Sequence, residues 1–326
     1  MNYELTDLRP VSNETAFRKT VTAVGLSLIS LVLFFNSLYG LPTLFLSSGI
    51  FGMSEAVTEI VCSLAESVVY ILCLLLPILV FKIIMGKSER TRPFLGVSAD
   101  AGLFLVIPAV VGLNTAISFL NFEIFSFLPS AYATPESALP DSVNIILELI
   151  GTALIPAVFE ELYFRGCILT NLLPYGKTGA VFISAFTFAL MHGSFQKFLH
   201  TFCAGLMLGC VYLLYRSIWP GVLIHFFNNL ISVMSYGWIG KASGIFAAVP
   251  MLVTELAIMT AGLAFSALFL IRLYKKKPPM PLSYVPVEDR PVENYLSNAA
   301  RPTLIIYTVL AVVMAAGNVL YAIFYF

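Results

Sequence analysis

Long apolar runs, separated by short polar or turn-forming segments, repeat along the whole chain. A membrane-spanning helix needs about 20 mostly apolar residues. Runs of that kind lie near 21–39, 60–81, 102–128, 143–173, 178–196, 198–215, 220–236, 246–271 and 303–325. They predict an all-α fold, a polytopic membrane helix bundle of eight or nine transmembrane helices. Residues 40–52 are apolar too, but Gly40, Pro42 and Gly49 break that run. The first run follows a mixed polar stretch and has no Ala-x-Ala exit, so it reads as a retained anchor and not a cleaved signal.

Composition agrees. Hydrophobic residues make up 59% of the chain and charged residues 11%, with a mean hydropathy of +0.91. Soluble domains carry roughly 45–50% apolar and about 25% charged residues. The net charge of zero argues against nucleic acid or another polyanion as a partner. The partners to expect are a lipid bilayer and something that meets the protein within it. Cys62, Cys73, Cys167, Cys203 and Cys210 lie in apolar stretches without metal-ligand spacing and read as small hydrophobes.

Basic residues set the expected orientation. Arg9, Arg18 and Lys19 precede the first run, and Lys82, Lys87, Arg90 and Arg92 follow the second. Lys177, Arg216 and the Arg272/Lys275–Lys277 cluster fall on later alternate connections, against Lys197 and Lys241 opposite. This predicts a multi-pass protein of the cell membrane with a cytoplasmic amino terminus. The Pro-rich stretch Pro278–Pro302 reads as a cytoplasmic linker. No internal repeat is evident, so an inverted-repeat transporter is not suggested.

Within the run 143–173 sits Glu160-Glu161-x-x-x-Arg165. An ionisable side chain at bilayer depth costs several kcal/mol and marks function by default. Glu161 and Arg165 stand i, i+4 with the acid first, the favoured order for a helical ion pair. Glu160 lies about 100° around the helix from Glu161 and needs another partner. Pro174-Tyr175-Gly176-Lys177 signals a turn, and Glu160 before it and His192 after it are each roughly 21–23 Å away along their helices. Equal depth would let this carboxylate and imidazole share a proton and activate a water. His225 and Asn229, at i, i+4, project from one face of a later helix. Their depth matches Glu160 only if the turn before Pro220 sits deeper than the first. Gly205-x-x-x-Gly209 would permit close helix approach.

Each element also has a structural reading. Buried Glu–Arg pairs often only hold helices together, and buried histidines often only bridge them. His200 matches no partner spacing and takes that reading. Glu59, Glu66, Glu148 and Glu255 lie in or near the runs and keep a transporter or channel in view.

Taken together, Glu160-Glu161-x-x-x-Arg165-Gly166, Phe188-x-x-x-His192 and His225-x-x-x-Asn229, in that order on successive runs, resemble the CPBP family of intramembrane proteases (CaaX protease and bacteriocin-processing, or Abi), which includes the type II CaaX prenyl endopeptidases. The resemblance covers roughly 140–236. The chain then divides into an amino-terminal segment 1–20, helices 21–139 outside the motifs, the CPBP-like core 140–236, and helices 237–326 with the linker at 275–302. The resemblance implies peptide-bond hydrolysis in a membrane-associated or lipidated substrate. Glu160 with His192 would activate water, His225 with Asn229 would bind the oxyanion, and Glu161 with Arg165 would hold the geometry. The family is often labelled a metalloprotease, so Glu160, His192 and His225 could bind zinc with an open fourth position. The spacing is not His-Glu-x-x-His, and metal-free glutamate catalysis is preferred. The competing readings are a transporter or channel using the buried Glu residues and a non-catalytic immunity or scaffold protein of the same fold. The basic residues point to a site that opens toward the cytoplasm.

Overall fold

The computed structural model describes residues 14–49, 51–86, 92–97, 100–125, 141–239, 245–275 and 302–325. Lys87, Arg90, Lys241, the connection 129–140 and the Pro-rich stretch up to 301 lie outside the described residues.

The described chain is helical. Four helices precede the motifs: α1 Glu14–Leu38, the short α2 Leu41–Leu46, α3 Glu55–Met85 and α4 Leu103–Phe125. The Glu160 segment is one continuous but uneven rod. It begins as α5 Asp141–Glu148, widens into π-type winding over Leu149–Leu154, and tightens as α6 Ile155–Glu161. It widens again over Leu162–Leu169, then closes through α7 Thr170–Leu172 and a 3₁₀ turn at Leu173–Tyr175. There follow α8 Lys177–Met191, α9 Phe195–Tyr215, α10 Trp219–Ile239, α11 Ile245–Lys275 and α12 Pro302–Tyr325.

Among the described residues, seven stretches are long and apolar enough to cross a membrane. Helices α8 and α10 occupy the other two runs. The run expected at 178–196 is cut short because Gly193, at φ +56°, takes the left-handed conformation that ends a helix. At 15 residues, α8 is about 22 Å long, short of a hydrocarbon core of about 30 Å. His225, Asn228 and Asn229 dilute the apolar character of α10.

Alternation of helix direction gathers Lys82, Lys177, Arg216, Arg272 and Lys275 at one end of the bundle. That basic end is tied by specific bonds. Ile218 N–H donates to Phe94 O at 2.9 Å, Tyr212 hydroxyl receives Phe94 N–H at 2.9 Å, and Arg272 pairs with Asp100 at 2.9 Å. The main core lies beneath it, drawing Phe17, Leu28, Phe81, Tyr163, Phe164, Leu173, Phe188 and Tyr212 from several helices. Close helix approaches depend on glycine, among them Gly25 of α1 against Thr303 of α12. A Cβ on Gly205 of α9 would stand 2.9 Å from Ala185 Cα of α8, and a Cβ on Gly112 of α4 would collide with Gly262 of α11. The Gly205 spacing thus corresponds to a real helix contact.

Candidate active site

Glu161 and Arg165 face each other across one turn of the motif helix. Arg165 Nη1–H donates to Glu161 Oε1 at 2.7 Å, and Nη2–H donates to the Gly205 carbonyl at 3.1 Å. The guanidinium also lies 4.7 Å from the centre of the Phe188 ring, giving the charge an aromatic face. Both side chains are fully buried. Packing from α8 and α9 therefore converges on one ion pair, and the absence of a Cβ on Gly205 is what lets α9 bring its carbonyl within reach.

The same carboxylate fixes His225. Its Nδ1–H donates to Glu161 Oε1 at 3.1 Å. That bond turns Nε2 toward Glu160, 3.8 Å from its Oε2. Glu161 Oε2 rests over Gly221, where an added Cβ would stand 3.0 Å from it. So α10 reaches both carboxylates within two turns of its start. It can do so because the preceding turn sits deep: Ile218 lies beside Gly166, well short of the Pro174 turn, anchored there by Phe94–Gly96.

Glu160 is 3% exposed. Its Oε1 accepts a hydrogen bond from the Tyr70 hydroxyl of α3, while its buried Oε2 has no hydrogen-bond partner. Tyr70 is itself held by edge contacts with Phe35 at 5.2 Å and Tyr39 at 6.1 Å between ring centres. Sequence reasoning missed Tyr70. Its signal was a polar stripe on α3, Glu59, Ser63, Glu66, Ser67 and Tyr70, recurring every three or four residues through an apolar run.

His192 sits just past the end of α8. Its Nδ1–H donates to the Phe188 carbonyl at 2.9 Å, leaving Nε2 as the ring's acceptor, and its ring meets Phe188 edge-on at 5.0 Å. Among the described residues no hydrogen bond or ion pair joins it to Glu160; the imidazole beside Glu160 is that of His225. Phe188 touches both histidines, at 5.0 and 5.8 Å. Asn229 donates Nδ2–H to the Thr152 carbonyl at 3.1 Å. Pro156 lacks the N–H that an α-helix would offer this carbonyl, and Asn229 brings it a donor from α10. His200 leaves Nδ1 buried without a partner and makes no bond to the site.

A zinc site would need Glu160, His192 and His225 to converge. Among the described residues no three His, Cys, Asp or Glu side chains do so. The donor set does not fit zinc.

Residues 142–231 match the family model of the type II CAAX prenyl endopeptidases, Rce1-like. The segment is similar to that family over 90 of the chain's 326 residues. No curated protein and no solved structure matches the chain. The Rce1-like segment contains Glu160, Glu161, Arg165, His192, His225 and Asn229, whereas Tyr70 comes from outside it. At the level of the family it supports an intramembrane endopeptidase of the CAAX type, embedded in lipid and acting on protein.

Proposed function

We propose that this protein hydrolyses a peptide bond of a membrane-anchored polypeptide, with Glu160 as general base. The observation that carries this reading is the unpartnered Oε2 of Glu160, buried and 3.8 Å from Nε2 of His225. A water bridging these two atoms would meet two polar partners, both buried. The buried set holds two carboxylates and one guanidinium. One proton shared by Glu160 and His225 would make it neutral, which the cost of burying an unpaired charge favours.

In the step we envisage, the water oxygen attacks the scissile carbonyl carbon while Glu160 takes its proton. His192 offers a second acceptor through Nε2. The oxyanion that forms receives hydrogen bonds from His225 Nε2–H and from the second amide hydrogen of Asn229, whose first is committed to Thr152. Collapse breaks the C–N bond, and Glu160 returns its proton to the leaving amine. Glu161 holds the His225 ring so that Nε2 faces the site, and is itself neutralised by Arg165.

The test is cleavage of a membrane-anchored reporter peptide by purified protein in liposomes. Wild type should cut it and Glu160→Gln should not. Cleavage that survives Glu160→Gln overturns the mechanism, and none by wild type overturns the function.

A further inference from the structure

The two ends of the bundle are packed differently, and the candidate site lies at the boundary between them. Toward the basic end the molecule is closed. Every residue from Tyr163 to Tyr175 is buried, and the second half of α3 buries Cys73, Leu74, Pro77, Ile78, Phe81 and Met85. Toward the other end no residue of α3 from Glu55 to Leu72 is buried, and none of 142–152 on the motif helix. Residues 226–232 of α10 are likewise half-buried or exposed.

The loosely packed half is also polar along its inner faces. On α3 the stripe Glu59, Ser63, Glu66, Ser67 runs down to Tyr70, which bonds Glu160. On the motif helix Asn144, Glu148 and Thr152 stand four residues apart and so share a face. On α10 Asn228 and Ser232 stand four residues apart, with Asn229 next to Asn228 and three residues before Ser232. These faces meet: a Cβ on Gly151 would lie 3.2 Å from Ser67 Oγ, and Asn229 bonds the Thr152 carbonyl. Helices that faced only lipid would have no use for these groups, since polar side chains in hydrocarbon are costly.

We propose that the α3, α5 and α10 faces form a polar vestibule through which water and substrate reach Glu160 from the end opposite the basic residues. By the distribution of Lys and Arg that end is extracytoplasmic, so the route reverses the cytoplasmic opening expected from the basic residues alone, because the basic half, with every residue from Tyr163 to Tyr175 buried, is the closed one. The substrate is then a membrane-anchored polypeptide that presents its cleavable segment on the extracytoplasmic side, and not a lipidated chain in the cytoplasm. This rests on the protease reading only for the word substrate; the route itself is a separate matter. The route also ends at the closed basic half, so Glu59, Glu66 and Glu148 belong to a one-sided approach and not to a path across the membrane.

The native Cys62, half-buried on α3 between Glu59 and Ser63, is a built-in reporter. Wild-type protein in sealed vesicles of known sidedness would be treated with a membrane-impermeant maleimide and mapped by peptide mass. The Thr152→Cys variant would be treated alike, with Gln196→Cys and Lys177→Cys marking the two ends. Cys62 and the thiol introduced by Thr152→Cys should label from the side that labels Gln196→Cys. They should lose that labelling when only the Lys177→Cys side is exposed. Labelling from the Lys177→Cys side alone, or none when both sides are open, overturns the vestibule. Reporters carrying the cleavable segment on either side then test the substrate: cleavage on the cytoplasmic side alone overturns that part. If neither reporter is cut while the labelling is one-sided, the protease reading falls and the route stands.

Discussion

Tyr70 of α3 donates its hydroxyl hydrogen to Oε1 of Glu160 on α6, tying the motif helix to a helix outside the Rce1-like segment. The bond occupies one carboxylate oxygen and leaves the other toward His225. Loss of a hydrogen bond to a charged group costs about 1.5–3 kcal/mol. Tyr70→Phe keeps the ring contacts with Phe35 and Tyr39 and removes only the hydroxyl. If Glu160 is the base, kcat should fall about 10- to 100-fold with KM little changed. Wild-type kcat in Tyr70→Phe would show that the bond only packs two helices.

The two adjacent carboxylates should fail differently. Glu161 serves Arg165 and His225 at once, and its removal leaves a buried guanidinium unpaired. Glu161→Ala should therefore lose on the order of 3–5 kcal/mol of stability. Glu160→Gln keeps an oxygen to accept from Tyr70 and should stay folded while losing turnover. Thermal unfolding in detergent, run beside the cleavage assay, separates them. An unstable Glu160→Gln with a stable, inactive Glu161→Ala would reverse the assignment.

Hydropathy made the helices legible, because lipid demands long apolar runs whatever the contacts are. The i, i+4 spacing made the Glu161–Arg165 pair legible for the same local reason. What sequence could not show depended on irregular backbone. Counting residues from Pro174–Lys177 treats the motif helix as uniform, yet Leu162–Leu169 is wound more widely, and Glu160 bonds Tyr70 with His225 close by. The depth mismatch of His225 was resolved by a deep turn held by Phe94–Gly96, a segment with no periodicity to read. Tyr70 lay 90 residues away in sequence, with no local pattern linking it to Glu160. The break at His192–Ser194 was readable in principle from Gly193, but the apolar run on either side concealed it.

Asn229 has a structural duty as well as the proposed chemical one, and Pro156 is the reason. Asn229→Ala should lower kcat by about 10²–10³ as an oxyanion donor is lost, and should also loosen the motif helix from α10 by removing the donor to the Thr152 carbonyl, at about 1–3 kcal/mol. Pro156→Ala restores an N–H four residues after Thr152. In the Asn229→Ala background it should recover stability but not turnover. A double-mutant cycle read by both unfolding and cleavage checks this. Recovery of turnover along with stability would mean that Asn229 acts only on the helix.

Gly221 and Gly166 both lie beside the ion-paired turn, but only one of them is required by space. A Cβ at Gly221 would stand 3.0 Å from Glu161 Oε2, whereas the nearest atom to a Cβ at Gly166 is Leu162 Cδ1 at 3.4 Å, an ordinary contact. Glu161 cannot yield freely, because Arg165 at 2.7 Å and His225 at 3.1 Å hold its other oxygen. Gly221→Ala should therefore tilt the carboxylate, turn His225 away from Glu160 and reduce kcat, at a stability cost of about 1–3 kcal/mol for overpacking. Gly166→Ala should remain within about 1 kcal/mol of wild type, gaining helix propensity at little steric cost. Side-by-side kcat and Tm for the two variants decide the matter. Equal tolerance at both positions would show that α10 can retreat from Glu161 and that the fixed geometry of His225 does not depend on their close approach.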